Sequence, residues 1–177
     1  MLFRSFHLQE YSEELWPTEQ EFLADDYVKW LRERSPAFHH LEQVHGERTD
    51  MYYVPQLRPM PQELCVESWL TGRTLEEMNR ADKRPWFGLV SFVTPHPPVA
   101  PPVPYNRRYN PDEMPNPALG DPAIDTADDY LAWMNHAVWA DDISAGQARQ
   151  IRARYYGSIE FVDHCVGRIL EIGRAHV

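Results

Sequence analysis

Trp86-Phe87-Gly88-Leu89-Val90-Ser91-Phe92-Val93-Thr94, held between Pro85 and Pro95, decides how the fold of this chain is read. The run is almost wholly apolar and rich in aromatic and β-branched residues. A strand buried on both faces reads this way, usually the central parallel strand of an α/β sheet. The wider stretch from Pro85 to Asn106 lacks Asp, Glu, Lys and Arg, but its seven prolines exclude a membrane helix, which needs ~20 mostly apolar residues in unbroken helix.

Helices are expected on both sides of that strand. Upstream, Thr18-Glu19-Gln20-Glu21 is a capping box, in which the Thr hydroxyl and the Glu three residues on satisfy each other's orphan N–H groups. Leu23, Tyr27, Trp30 and Leu31 follow at helical spacing to about Arg34, where Ser35-Pro36 stops the helix. A second helix is expected from Pro61, with Leu64, Ser68, Thr71, Leu75 and Met78 on one stripe and charges on the other side.

Downstream, Pro95 to Pro122 is a long excursion punctuated by proline and by Gly120. It exceeds the ~12–15 residues beyond which structureless loops become uncommon, which favours a functional loop or wall. Helix resumes at about Ala127–Trp139. The last helix opens on a capping box of Ser144 and Gln147 and carries Ile151, Tyr155, Ile159, Val162, Val166 and Ile169 in steps of four and three, with Gly173 expected as its C′ residue.

One strong strand and four helices do not complete an α/β domain. A strand buried on both faces needs neighbours for its N–H and C=O groups, and the chain offers only weak candidates, Met51–Val54 and Leu2–Leu8. Either the sheet is very small or residues 1–177 are a single incomplete segment of a larger domain; the second is the preferred reading, with an unpaired sheet edge that invites self-association.

Composition agrees with a globular chain: 177 residues, 43% hydrophobic and 25% charged, with a formal net charge of −10. So acidic a chain repels nucleic-acid backbones and anionic membrane surfaces, leaving small anions in local pockets as admissible ligands. Cys65 and Cys165 form neither a disulfide framework nor a CxxC metal pair. The N-terminus turns acidic within ten residues and has no signal-peptide h-region, so the chain reads as soluble, with its compartment unknown.

His96 stands two residues beyond the expected strand end, where open parallel sheets bind their ligands. Pro95 and Pro97 restrict its backbone, and an imidazole can donate to an anionic oxygen or protonate a leaving group. Tyr105, Arg107 and Arg108 follow the loop and are candidates for the wall of an anion pocket. His39, His40 and His45 lack a carboxylate or thiolate at matched spacing and read as a surface loop. Asp128-Asp129 and Asp141-Asp142 read as helix-start charges. Asp163 is expected to be a buried or interhelical hydrogen-bond partner. Pro98–Pro104 reads as pocket wall in preference to a polyproline ligand.

These residues resemble the sulfatase family. RPWFGLVSFVTPHPPVAPPVPYNRRYNPDEMPNP (84–117) is similar to the family's strand and PH-x-P loop. ARQIRARYYGSIEFVDHCVGRILEIG (148–173) is similar to the helix that follows it, through Tyr156, Ile159, Asp163, Val166, Gly167, Arg168 and Ile169. The lead-in YYVPQLRPMPQELCVESWLTGRTLEEM (52–78) fits the preceding segment. The resemblance implies part of an alkaline-phosphatase-like three-layer α/β sandwich. It implies a sulfuric ester hydrolase, with phosphonate or phosphate ester hydrolases as relatives. In the complete family enzyme a formylglycine, made from Cys or Ser in C/S-x-P-x-R, acts beside a divalent cation, usually calcium. Of that machinery the resemblance assigns only His96, as catalytic and substrate-binding residue; Arg107 is a further substrate-binding candidate. No C/S-x-P-x-R motif, N-terminal paired aspartates or D-H-G metal motif is present, so this chain alone is expected to lack the metal ligands and to be inactive. The alternative is a non-catalytic interaction module that uses its proline-rich loop.

Overall fold

The structure is a computed structural model that describes residues 10, 19–36, 58, 60–80, 86–116, 130 and 143–175. The first helical stretch is two helices, α1 (Glu19–Ala24) and α2 (Asp26–Arg34), where the sequence suggests one. Asp25 makes the break. Its backbone is extended (φ −62°, ψ 136°), and its carboxylate accepts the Val28 N–H at 3.0 Å, an N-cap in mid-sequence. Thr18 and the capping box expected on it lie outside the described residues. At the far end the Ser35 N–H donates to the Leu31 carbonyl at 2.8 Å, just before Pro36.

Helix α3 (Val66–Met78) follows a 3₁₀ turn at Gln62–Leu64, with Cys65 between them. Its buried positions are Glu67, Trp69 and Thr71, and of the expected stripe only Thr71 is fully covered. The reason is that α3 is a middle element. Trp69 meets the Tyr27 ring of α2 (centroids 5.7 Å apart), while Thr71 meets Cys165 of the last helix. A helix wedged between two neighbours buries more than one stripe.

The last helix, α4 (Ala145–Ala175), begins as the sequence indicates. The Ser144 N–H donates to Gln147 Oε1 at 3.0 Å, and the Gln147 N–H donates to Ser144 Oγ at 3.3 Å. It does not end at Gly173 but runs through it. Its buried face is Ala153, Gly157, Ser158, Phe161 and Cys165, packed on α3 and on the 3₁₀ turns Tyr105–Arg107 and Pro111–Glu113. Small residues dominate that face because the neighbouring backbone comes close. A Cβ built on Gly157 would lie 2.3 Å from the Tyr105 carbonyl oxygen. Three of the expected core positions, Tyr155, Ile159 and Val166, are exposed instead. Of the helix expected at 127–139, only Tyr130 is described; it is helical and exposed.

The core joins the parts: Phe22, Tyr27, Val28, Leu31, Met60, Cys65, Trp69, Tyr105, Phe161 and Cys165, with Phe92 packed against it. The Tyr105 and Phe161 rings pack in a tilted pair with centroids 5.1 Å apart, and Tyr109 meets Tyr156 edge-on at 5.5 Å. Val99, Ala100, Pro101 and Pro102 are buried, so the proline-rich excursion lies against the helices.

Residues 86–93 are neither helical nor paired in a ladder, and no β-strand occurs among the described residues. Trp86 is 65% exposed, Phe87 77%, Leu89 74% and Val93 54%. The weak partner candidates Leu2–Leu8 and Met51–Val54 lie outside the described residues.

Candidate active site

The strand-like run ends in a turn. The His96 N–H donates to the Val93 carbonyl at 3.0 Å, and the Thr94–Pro95 and Pro97–Pro98 peptide bonds are cis. His96 is exposed at this turn, and its Nδ1 lies 2.7 Å from the Pro97 carbonyl oxygen. A carbonyl only accepts, so this contact places a proton on Nδ1. Nε2 is then a donor only when the ring is an imidazolium.

Beneath the turn is a buried ionic anchor that sequence reasoning missed. Glu67, 2% exposed, accepts from Arg58 Nη1 through both carboxylate oxygens (3.2 and 3.0 Å). Thr94 Oγ1 donates to the same carboxylate. A carboxylate so buried is tolerable only because it is paired and hydrogen-bonded. Burial opposes the Arg58 charge, but Glu67, Cys65 and Tyr27 outweigh it and raise its pKa above the usual arginine value. The result fixes the residue two before His96 onto α3. Glu67 reads in the sequence as a helix-surface charge, because its partners lie nine and 27 residues away.

Arg107 closes the 3₁₀ turn at Tyr105 and is exposed. Arg108 lies over the Tyr105 ring at 5.6 Å and pairs with Glu160 at 3.4 Å. Arg107 and Arg108 line a cleft of about 410 Å³ together with Asn106, Tyr109, Asn110, Pro111, Ala153 and Arg154. His96 is not among its lining residues, so the structure does not bring His96 and Arg107 onto one cleft. Arg154 has no counterpart in the sequence reading; nothing in the periodicity of α4 marks it.

Neither cysteine is an activated thiol. Cys65 and Cys165 are buried, and desolvation pushes Cys65 up to about 12 and raises Cys165 in the same direction. Asp163, expected to be buried, is exposed on α4. His39, His40, His45, Asp128, Asp129, Asp141 and Asp142 lie outside the described residues. No group of three or more His, Cys, Asp or Glu side chains converges to hold a metal among the described residues. The donor set for a divalent cation is thus not found among them. No helix among the described residues is long and apolar enough to cross a membrane.

The family model of the sulfatases matches residues 11–172. The chain belongs to the sulfatase family. An arylsulfatase of Clostridium perfringens (strain 13 / Type A) is 29% identical over 147 residues, 82% of this chain and 30% of that protein. The multifunctional alkaline phosphatase superfamily protein PehA of Trinickia caryophylli is 28% identical over 125 residues, 62% of this chain and 24% of that protein. Among solved structures, the phosphonate monoester hydrolase SpPMH from Silicibacter pomeroyi matches with a TM-score of 0.68 and 25% identity, covering 84% of this chain and 32% of that one. This sulfatase-family chain therefore spans about a third or less of the length of the relatives it matches.

Proposed function

We propose that this chain is one segment of a hydrolase acting on sulfuric esters, and that His96 serves the reaction by donating to the leaving or anionic oxygen of the ester. The observation that carries the reading is the position of His96. It stands on a turn immediately after the apolar run, and the buried Glu67 holds that turn through Thr94. With Nδ1 directed to the Pro97 carbonyl, Nε2 is the atom that would meet substrate, and only as an imidazolium could it give up a proton. The printed names of the relatives include an arylsulfatase and a phosphonate monoester hydrolase, so phosphonate esters are the nearest competing substrates. In the complete enzyme a divalent cation beside the nucleophile would supply electrophilic activation; its ligands, like the nucleophile motif, are expected outside this chain.

The apolar run is in this reading the central strand of the family's three-layer sandwich, with pairing partners in the rest of a longer chain. Its exposed side chains favour that account. The alternative of an interaction module using the proline loop is disfavoured, because Pro101 and Pro102 are fully buried.

In a full-length enzyme carrying this segment, His96→Ala should lower kcat for an aryl sulfate by ~10²–10⁴, the range for loss of a general acid. Steady-state kinetics checks this. Wild-type turnover in the variant would remove His96 from the mechanism.

A further inference from the structure

The cleft between the Tyr105–Arg107 turn and α4 holds two guanidinium groups, Arg107 and Arg154, that make no ion pair among the described residues. Arg108, the third arginine there, is already matched by Glu160. No carboxylate lines the cleft. Of the three side-chain polar atoms buried without a hydrogen-bond partner among the described residues, two, Arg154 Nη1 and Asn106 Oδ1, belong to residues of this lining. A buried donor left unmatched costs free energy, all the more when it carries charge. Burial and then the neighbouring Arg107 both disfavour the Arg154 charge, pulling its pKa below the ordinary arginine value. In a chain of net charge −10 such an unmatched positive pair is out of keeping with its surroundings.

We propose that this cleft binds a tetrahedral oxyanion, a sulfate or phosphate group, held between the Arg107 and Arg154 guanidinium groups. Guanidinium forks match the oxygens of such a group in geometry as well as charge. Tyr109 and Asn110 also line the cleft, the Asn110 amide donating to Glu113 Oε1 at 3.3 Å and accepting the Asp112 N–H at 3.1 Å. At about 410 Å³ the cleft accommodates an organic monoester as readily as the free ion. Arg107 thereby keeps the anion-binding role expected from its position, but its partner is Arg154 and not His96.

The test is calorimetric titration of the 177-residue chain with sodium sulfate, sodium phosphate, methyl sulfate and sodium acetate at constant ionic strength set by chloride. Saturable one-to-one binding of sulfate or phosphate is expected. Arg154→Gln and Arg107→Gln should each weaken it about tenfold or more, the scale of a lost charge-assisted hydrogen bond. Arg73→Gln, on α3 and outside the cleft lining, should change it little. Methyl sulfate binding as tightly as sulfate would assign the site to an ester, and its exclusion would assign it to the free ion; either agrees with the oxyanion site. Helical circular dichroism shows whether each variant is folded, and Arg107, being exposed, gives a substitution with little structural cost. Absence of saturable binding, equal binding of acetate, or unchanged affinity in both arginine variants would overturn the proposal. His96→Ala should leave the affinity intact. If it abolishes binding, the anion belongs to the loop histidine, and the cleft assignment fails while the catalytic one stands.

Discussion

Gly157 shows what a single residue contributes to this arrangement. The Tyr105 carbonyl oxygen sits where a Cβ at 157 would be, and the obstacle is backbone, which cannot swing aside as a side chain can. Gly157→Ala should therefore destabilise the chain by about 2 kcal/mol, the overpacking cost less the gain in helix propensity. Gly72 in α3 is the control, since nothing lies within 4 Å of its added Cβ. Gly72→Ala should stabilise by about 0.5–1 kcal/mol. Urea unfolding of both variants checks the pair; equal effects would mean that the Tyr105 turn does not press on α4. At this scale the sequence was informative about local chemistry only. His96 and Arg107 stood out because prolines and loop position mark them. Glu67 and Arg154 did not, because what distinguishes each is a neighbour supplied by a distant part of the chain.

Among the elements, those with chemical signals at their ends were readable. The Ser144–Gln147 box starts α4 where the sequence places it, and Ser35-Pro36 ends α2. The break at Asp25 is not legible in the sequence, because a helix continuing through Ala24-Asp25-Asp26 satisfies the same apolar spacing; only the cap geometry reveals it. The buried faces of α3 and α4 differ from their apolar stripes for a related reason. Periodicity finds the largest apolar stripe, whereas the α3–α4 contact is made by small and polar residues, Cys65, Thr71 and Cys165, that allow close approach. That contact has a pH signature. Both thiols are raised by desolvation, Cys65 to about 12, whereas a thiol in the unfolded chain ionises near ~8.5. Above that pH the unfolded state gives up protons that the folded state keeps. Stability is therefore full below ~8.5 and falls as pH rises toward 12, by up to about 1.4 kcal/mol per pH unit for Cys65, with Cys165 acting in the same direction. Urea unfolding at pH 8, 9 and 10 should show the decline, and Cys65→Ala should make it shallower. An unchanged slope would mean that Cys65 ionises as readily in the fold as out of it.

At the scale of the molecule, exposed apolar side chains among the described residues concentrate on the run 86–93 and on the outward face of α4 at Tyr155, Ile159, Val166 and Leu170. A chain that leaves this much exposed should self-associate, and its sedimentation coefficient should rise with concentration over the micromolar range. A monomer at every concentration would count against an interior segment. The sequence announced the run's character by its unbroken apolar composition, but not its partners, since pairing is a long-range property. The most direct measurement is amide hydrogen exchange at residues 87–93, in the monomeric 177-residue chain at low concentration and in a full-length sulfatase that contains it. The account predicts fast exchange in the former and strong protection in the latter. Strong protection in the 177-residue monomer, or fast exchange in both, would contradict it.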